Sequence, residues 1–137
     1  MQSKETQIGG NHYKGFVYEP FEIAHANEYD GECLSILKYV MRHELKGGAD
    51  DLRKAIHIVD IRVDLIEKYG ARQGINVLPP KVFIPANNTK GPEFAVLCSL
   101  HDWALRSGKC DDAFVSKTIK FQIDQLIQIY YPDEETE

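Results

Sequence analysis

Between Gly47 and Gly70 the apolar positions recur at helical intervals. Leu52, Ala55, Ile56, Val59, Val63 and Ile66 form one stripe, and Ile58, Ile61 and Leu65 widen it well past a single narrow face. A helix that is apolar over so much of its circumference sits at the centre of a core or is shared with a second subunit. The pattern therefore predicts a helix over 50–69 and an obligate homo-oligomer, a dimer or larger, built on it. Upstream, Cys33, Leu37, Val40, Met41 and Leu45 keep the same spacing behind Asp30, a good N-cap, and predict a helix over 31–46. Gly47-Gly48 stops it, because glycine accepts the left-handed conformation that follows a helix end.

Pro20 suits the first position of a short helix carrying Phe21, Ile23 and Ala24 as far as Asn27. Near the C-terminus, Pro92 opens a helix over 93–107, with Phe94, Leu97, Cys98 and Leu105 inward and Trp103 nearby, and Gly108 ends it. Asp111-Asp112 then lead into a helix over 112–131 with Val115, Ile119, Ile123, Leu126 and Tyr130 on its apolar side, and Pro132 stops it. The stretch 71–91 is different. Pro79, Pro80 and Pro85 flank two β-prone runs, Ile75–Leu78 and Lys81–Ile84, which proline would confine to a sheet edge or a hairpin.

The expected fold is therefore mainly α, one domain over 1–131 made of two helical hairpins joined by a Pro-rich loop or short β ribbon at 71–91. The second hairpin spans 92–131, and 132–137 form an acidic, solvated tail. One echo links the hairpins: Gly47-x-x-Asp50-Asp51 and Gly108-x-x-Asp111-Asp112 each join two helices. Glycine stop followed by aspartate cap is also the common way to write any helix-turn-helix.

Composition narrows the functional classes. A chain of 137 residues, 43% apolar and 27% charged, can bury a full core. A net charge of −5 argues against duplex nucleic acid as partner. The longest apolar runs are too short to span a membrane, and the polar N-terminus lacks the apolar core of a secretion signal, which points to the cytoplasm. Cys33, Cys98 and Cys110, odd in number and without zinc spacing, read as reduced thiols.

Within this acidic chain, residues 38–54 hold five cations, Lys38, Arg42, Lys46, Arg53 and Lys54, against Glu44, Asp50 and Asp51. Lys38, Arg42, His43 and Lys46 recur at short intervals along one helix, and Lys54 follows at the start of the next. Arginine offers phosphate a planar fork and lysine a mobile point charge. The loop bounded by Gly9, Gly10 and Gly15 carries His12, Tyr13 and Lys14, which can close over the same surface, with Tyr13 or Tyr39 against a base. A solvated helix face is the plain alternative.

Other chemistries have thinner support. No G-x-x-x-x-G-K-[ST] loop, no G-x-S-x-G elbow and no defensible cysteine–histidine spacing occurs. Asp60, Asp64 and Glu67, faced by Glu19 and Glu22, would suit a Mg²⁺-dependent nucleotide pyrophosphatase. Their pattern is incomplete, and Asp60 and Asp64 more simply pair with Arg62 or Lys68. His101-Asp102, with His25 or His57, resembles the ligand pair of helical phosphohydrolases. No catalytic group, cofactor or metal is expected.

Several blocks together resemble a family. Gly9-Gly10-x-His12-Tyr13-Lys14, Pro20 with Ile23, Ile36-x-Lys38-Tyr39-Val40-x-Arg42, Lys46-Gly47-Gly48 and Asp51-Leu52-x-Lys54-Ala55-x-His57 are similar to a small phage-encoded domain often labelled "nucleotide kinase". The resemblance covers about residues 8–68. It implies a phage gene acting on nucleotides in the cytoplasm of an infected bacterium, and leaves phosphorylation and simple holding both open. A phage protein that sequesters the cyclic nucleotide signals of bacterial defence needs a cationic and aromatic pocket and no catalyst. That non-catalytic binder is the expected function. A nucleoside monophosphate kinase-like enzyme is the first alternative and the pyrophosphatase the second.

Overall fold

The structure is a computed structural model that describes residues 15–133. Among these residues there are six helices and no strand: α1 Pro20–Asn27, α2 Gly31–Arg42, α3 Gly48–Tyr69, α4 Pro80–Ala86, α5 Gly91–Arg106 and α6 Asp112–Tyr130. The fold is mainly α, as the apolar spacing requires.

Helix α3 lies between α2 and α6, while α5 packs on both α6 and α2, α1 on α2 and α4 on α5. Leu52, Ala55 and Val59 of α3 meet Ile36, Leu37 and Val40 of α2, Leu97, Leu100 and Trp103 of α5, and Ile119, Ile123 and Leu126 of α6 in one core. The broad apolar surface of α3 is thus used by two neighbours within one chain. Ile61 and Leu65 remain about a third exposed, and Tyr69 at the helix end is exposed.

Caps set the helix ends. Asp30 accepts from the Cys33 backbone N–H at 2.8 Å and Asp111 from that of Phe114 at 3.1 Å, each satisfying an otherwise orphaned helical donor. The two Gly-x-x-Asp-Asp turns are built alike. Asp51 accepts from Gly47 N (3.1 Å) and from Arg42 Nε (3.2 Å), residues four and nine positions earlier. Asp112 accepts from Gly108 N (2.9 Å) and Trp103 Nε1 (2.8 Å), again four and nine positions earlier. The echo therefore extends from the sequence to the hydrogen bonds of the turns.

Four expectations need correction. Helix α2 ends at Arg42, not at 46, and Leu45 is 55% exposed instead of continuing the stripe. The chain leaves the helix there because the His43 side chain turns inward and Asp51 gathers Arg42 and Gly47 into a turn. No β ribbon forms in 71–91. Pro80 starts a helix that buries Phe83 and Ile84, so the second β-prone run becomes α4. The first run, at 75–78, has its backbone groups held by Asn27, whose Oδ1 accepts from Val77 N and Leu78 N and whose Nδ2 donates to Leu78 O. Phe94 is exposed and Glu93 takes the inward position on α5. Arg62 is buried, not a surface partner of Asp60 or Asp64. Its guanidinium lies 4.3 Å from the Trp103 ring centre and its Nε donates to Asp30 at 2.8 Å.

Candidate functional site

The spacing of Lys38, Tyr39 and Arg42 places them along α2, and the turn at 43–47 returns the chain so that Lys54 of α3 comes alongside. The three cations gather on one ring. Arg42 Cζ, Lys38 Nζ and Lys54 Nζ lie 4.8, 5.2 and 5.7 Å from the Tyr39 ring centre. The negative face of an aromatic ring attracts cations within about 6 Å, so Tyr39 offsets part of the repulsion among them. Beside the ring an open groove of about 350 Å³ is lined by Tyr39, Asp50, Arg53, Lys54, His57 and Ile58.

The cations are not equivalent. Arg42 is held by Asp51, whose side chain is almost fully buried. Arg53 donates to the exposed Asp50 at 2.9 Å. No ion pair joins Lys38 or Lys54 to a carboxylate among the described residues. Of these two ammonium groups, Lys54 lines the groove and Lys38 stands by the same Tyr39 ring. His57 and Arg53 were absent from the sequence-predicted set. His57 lies three positions from Lys54 and four from Arg53, the helical spacing that places it at the same groove.

The remaining predicted residues separate. Lys46 is exposed in the 43–47 turn and makes no contact with the Tyr39 ring. His12, Tyr13 and Lys14 lie outside the described residues. His43 does not belong to the site at all. It is buried, with Nε2 donating to Glu93 Oε2 at 2.8 Å and Nδ1 2.9 Å from the Tyr131 hydroxyl. Tyr130 donates to the other Glu93 oxygen at 2.8 Å, and its ring meets the His43 ring edge-on at 4.8 Å. Burial, and after it the bond to Glu93, push the Tyr130 hydroxyl pKa up, so it stays a donor. A cavity of about 140 Å³ touches His43 and Glu93. Both ring nitrogens and both carboxylate oxygens are already engaged, so this network joins α2, α5 and the end of α6 as a structural tie.

The alternative chemistries meet similar fates. Asp60 is bonded to Lys120 of α6 at 2.7 Å, and among the described residues no three His, Cys, Asp or Glu side chains converge as a metal-binding group. His101 is spoken for: Nε2 donates to Asn76 Oδ1 at 2.8 Å, and Nδ1 accepts from the Tyr29 hydroxyl at 2.6 Å. Burial lowers its pKa. Asp102 points elsewhere, to Arg106 at 3.2 Å. The three cysteines are free thiols, and burial pushes the pKa of each up. No helix of the described residues is long and apolar enough to cross a membrane.

No protein-family model, curated protein or solved structure matches the chain.

Proposed function

We propose that the protein binds a nucleotide through its phosphate on the seam of α2 and α3 and releases it unchanged. Sequestration of a nucleotide signal, such as a cyclic nucleotide of bacterial anti-phage defence, is the biological role that fits such a binder. The observation that carries the reading is the convergence of Lys38 and Lys54, from different helices, on the Tyr39 ring next to an open groove that Tyr39 and Lys54 line. Two ammonium groups fixed by separate helices hold an anion at a defined point, and the edge of Tyr39, His57 and Ile58 offers a flat, partly apolar neighbour for a base. Arg42, tied to Asp51, positions the aromatic ring and adds field without having to leave its partner.

The test begins with the purified protein incubated with nucleoside mono- and triphosphates and cyclic dinucleotides, followed by recovery of the bound molecule after heat denaturation. Intact ligand is the expected result. Phosphorylated or cleaved product would favour the kinase-like or pyrophosphatase alternative. Charge-assisted bonds contribute about 1.5–3 kcal/mol each, and about 1.4 kcal/mol is tenfold in affinity. Lys54→Ala or Lys38→Ala should thus weaken binding about ten- to a hundredfold. Lys120→Ala, which removes a cation that is bonded to Asp60 and does not line the groove, should leave it unchanged. Equal affinity in all three variants would exclude this groove as the site.

A further inference from the structure

We infer that the groove beside α1 docks a basic amphipathic segment of another protein. It is an open hollow of about 1140 Å³, against about 350 Å³ for the groove at Tyr39, and the two share no lining residue. Ala24, Ala26 and Leu34 give it an apolar wall, and Phe21, which also lines it, is 62% exposed. An aromatic ring left open to water beside an apolar hollow is the kind of surface that a partner's apolar side chains fill. Glu19, Glu22 and Glu28 line the same groove. Glu28 and Tyr29 are shared with a second hollow of about 510 Å³, which adds Asp30 and Glu32.

The distribution of charge decides what the partner is. Between Gly15 and Leu37 there is no lysine or arginine, and the five carboxylates there are Glu19, Glu22, Glu28, Asp30 and Glu32. All five line the two hollows. The chain's 16 cations and 21 carboxylates leave 16 of each outside this stretch, so the whole surplus of −5 sits on it. Arg62 neutralises Asp30, and Arg72 stands in the second hollow. The first has no lysine or arginine in its lining, only His25. Neither Glu28 nor Glu32 takes part in an ion pair among the described residues. A rim of this sign repels nucleic acid and anionic lipid surfaces. Among the described residues no three His, Cys, Asp or Glu side chains converge as a metal-binding group. What matches both the apolar wall and the acidic rim is a segment with apolar residues on one face and lysine or arginine on the other, laid into the groove as a helix. Complementary charge of this kind speeds the encounter and makes the binding sensitive to salt.

The test uses the full chain and a synthetic peptide of about 18 residues, roughly five helical turns, with leucine on one face and lysine on the other. Fluorescence anisotropy should show binding at micromolar concentration that weakens about tenfold between about 50 and 300 mM salt. Two companion peptides, one with glutamate for every lysine and one with serine for every leucine, should each bind at least about tenfold more weakly. Glu28→Lys and Phe21→Ser should each weaken the leucine–lysine peptide about tenfold, with helical dichroism unchanged because both side chains are exposed. Asp64→Lys makes the same charge change at an exposed site that lines neither hollow, and should alter affinity less than about twofold. Absence of binding at about 500 µM peptide overturns the proposal. So does an equal loss in Asp64→Lys and Glu28→Lys, which would reduce the attraction to net charge. Full affinity for the serine peptide overturns it too, because the apolar wall would then have no part. Self-association of the chain alone that is abolished by Phe21→Ser would make a second copy the occupant, and would also overturn it. None of these readouts involves nucleotide, so the outcome is independent of the phosphate-binding reading.

Discussion

His43 shows how a residue's chemistry is decided by partners far away in the chain. At short spacing from Lys38, Arg42 and Lys46 it reads as one more cation on a phosphate-binding face. Its partners, Glu93 and Tyr131, are 50 and 88 positions away, and no local pattern announces them. Glu93 likewise sits where helical spacing invites Phe94. A polar pair buries itself here because each member satisfies the other, whereas a lone buried carboxylate is costly. His43→Ala should therefore remove about 2–3 kcal/mol of stability in urea unfolding by leaving Glu93 short of a donor, while nucleotide affinity stays near that of the native chain. Lys46→Ala, an exposed change, should stay within about 0.5 kcal/mol. A His43→Ala variant as stable as native would mean that the Glu93 network contributes nothing.

At the level of elements, the sequence was most legible where structure is local. Asp30, Asp111, the Gly-Asp turns and the apolar spacing of α3 and α6 act within a few residues of themselves, and the helices start and stop close to where these signals stand. The stretch 71–91 was illegible for the opposite reason. Its extended part gets its hydrogen bonds from Asn27, some fifty positions earlier, instead of from a neighbouring strand. Gly74 is required there because an added Cβ would come 2.5 Å from the Asn27 carbonyl oxygen. The two Gly-Asp turns invite a paired experiment. Asp112→Ala should cost about 1–2 kcal/mol, the range for losing a helix-start acceptor. Asp51→Ala should cost more, because the partner it strands is the charged Arg42 guanidinium, whereas Asp112→Ala strands the neutral Trp103 N–H. It should also loosen Tyr39 and lower nucleotide affinity, an effect Asp112→Ala should not have. Thermal unfolding and binding measured on both variants would decide it; matching losses in both would show that the turns are interchangeable supports.

Across the whole molecule, the helices are held in register by buried polar ties such as that of His101. This residue joins α5 to Tyr29, just after α1, and to Asn76 in the extended segment. It is neutral in the fold, since Nδ1 must stay bare to accept the Tyr29 proton, and burial lowers its pKa, with Asp102 opposing more weakly. Burial, and secondarily the nearby Cys33, push the Tyr29 hydroxyl pKa up, so that donor persists. The sign of the pH effect follows. As pH falls below the ordinary histidine value of 6.5, the unfolded chain takes a proton that folded His101 refuses, so the unfolded state gains and stability drops. Above 6.5 both states are neutral and the contribution is complete. Urea midpoints measured from pH 7.5 down to 5 should therefore fall with acidity, before most carboxylates titrate. His101→Gln, whose amide can still donate to Asn76 and accept from Tyr29, should flatten that fall. It should do so without changing nucleotide binding at pH 7.5, because His101 is remote from the Tyr39 groove. If native protein and His101→Gln lose stability in parallel over this range, the acid sensitivity arises from another group and the tie at His101 is not the one that titrates.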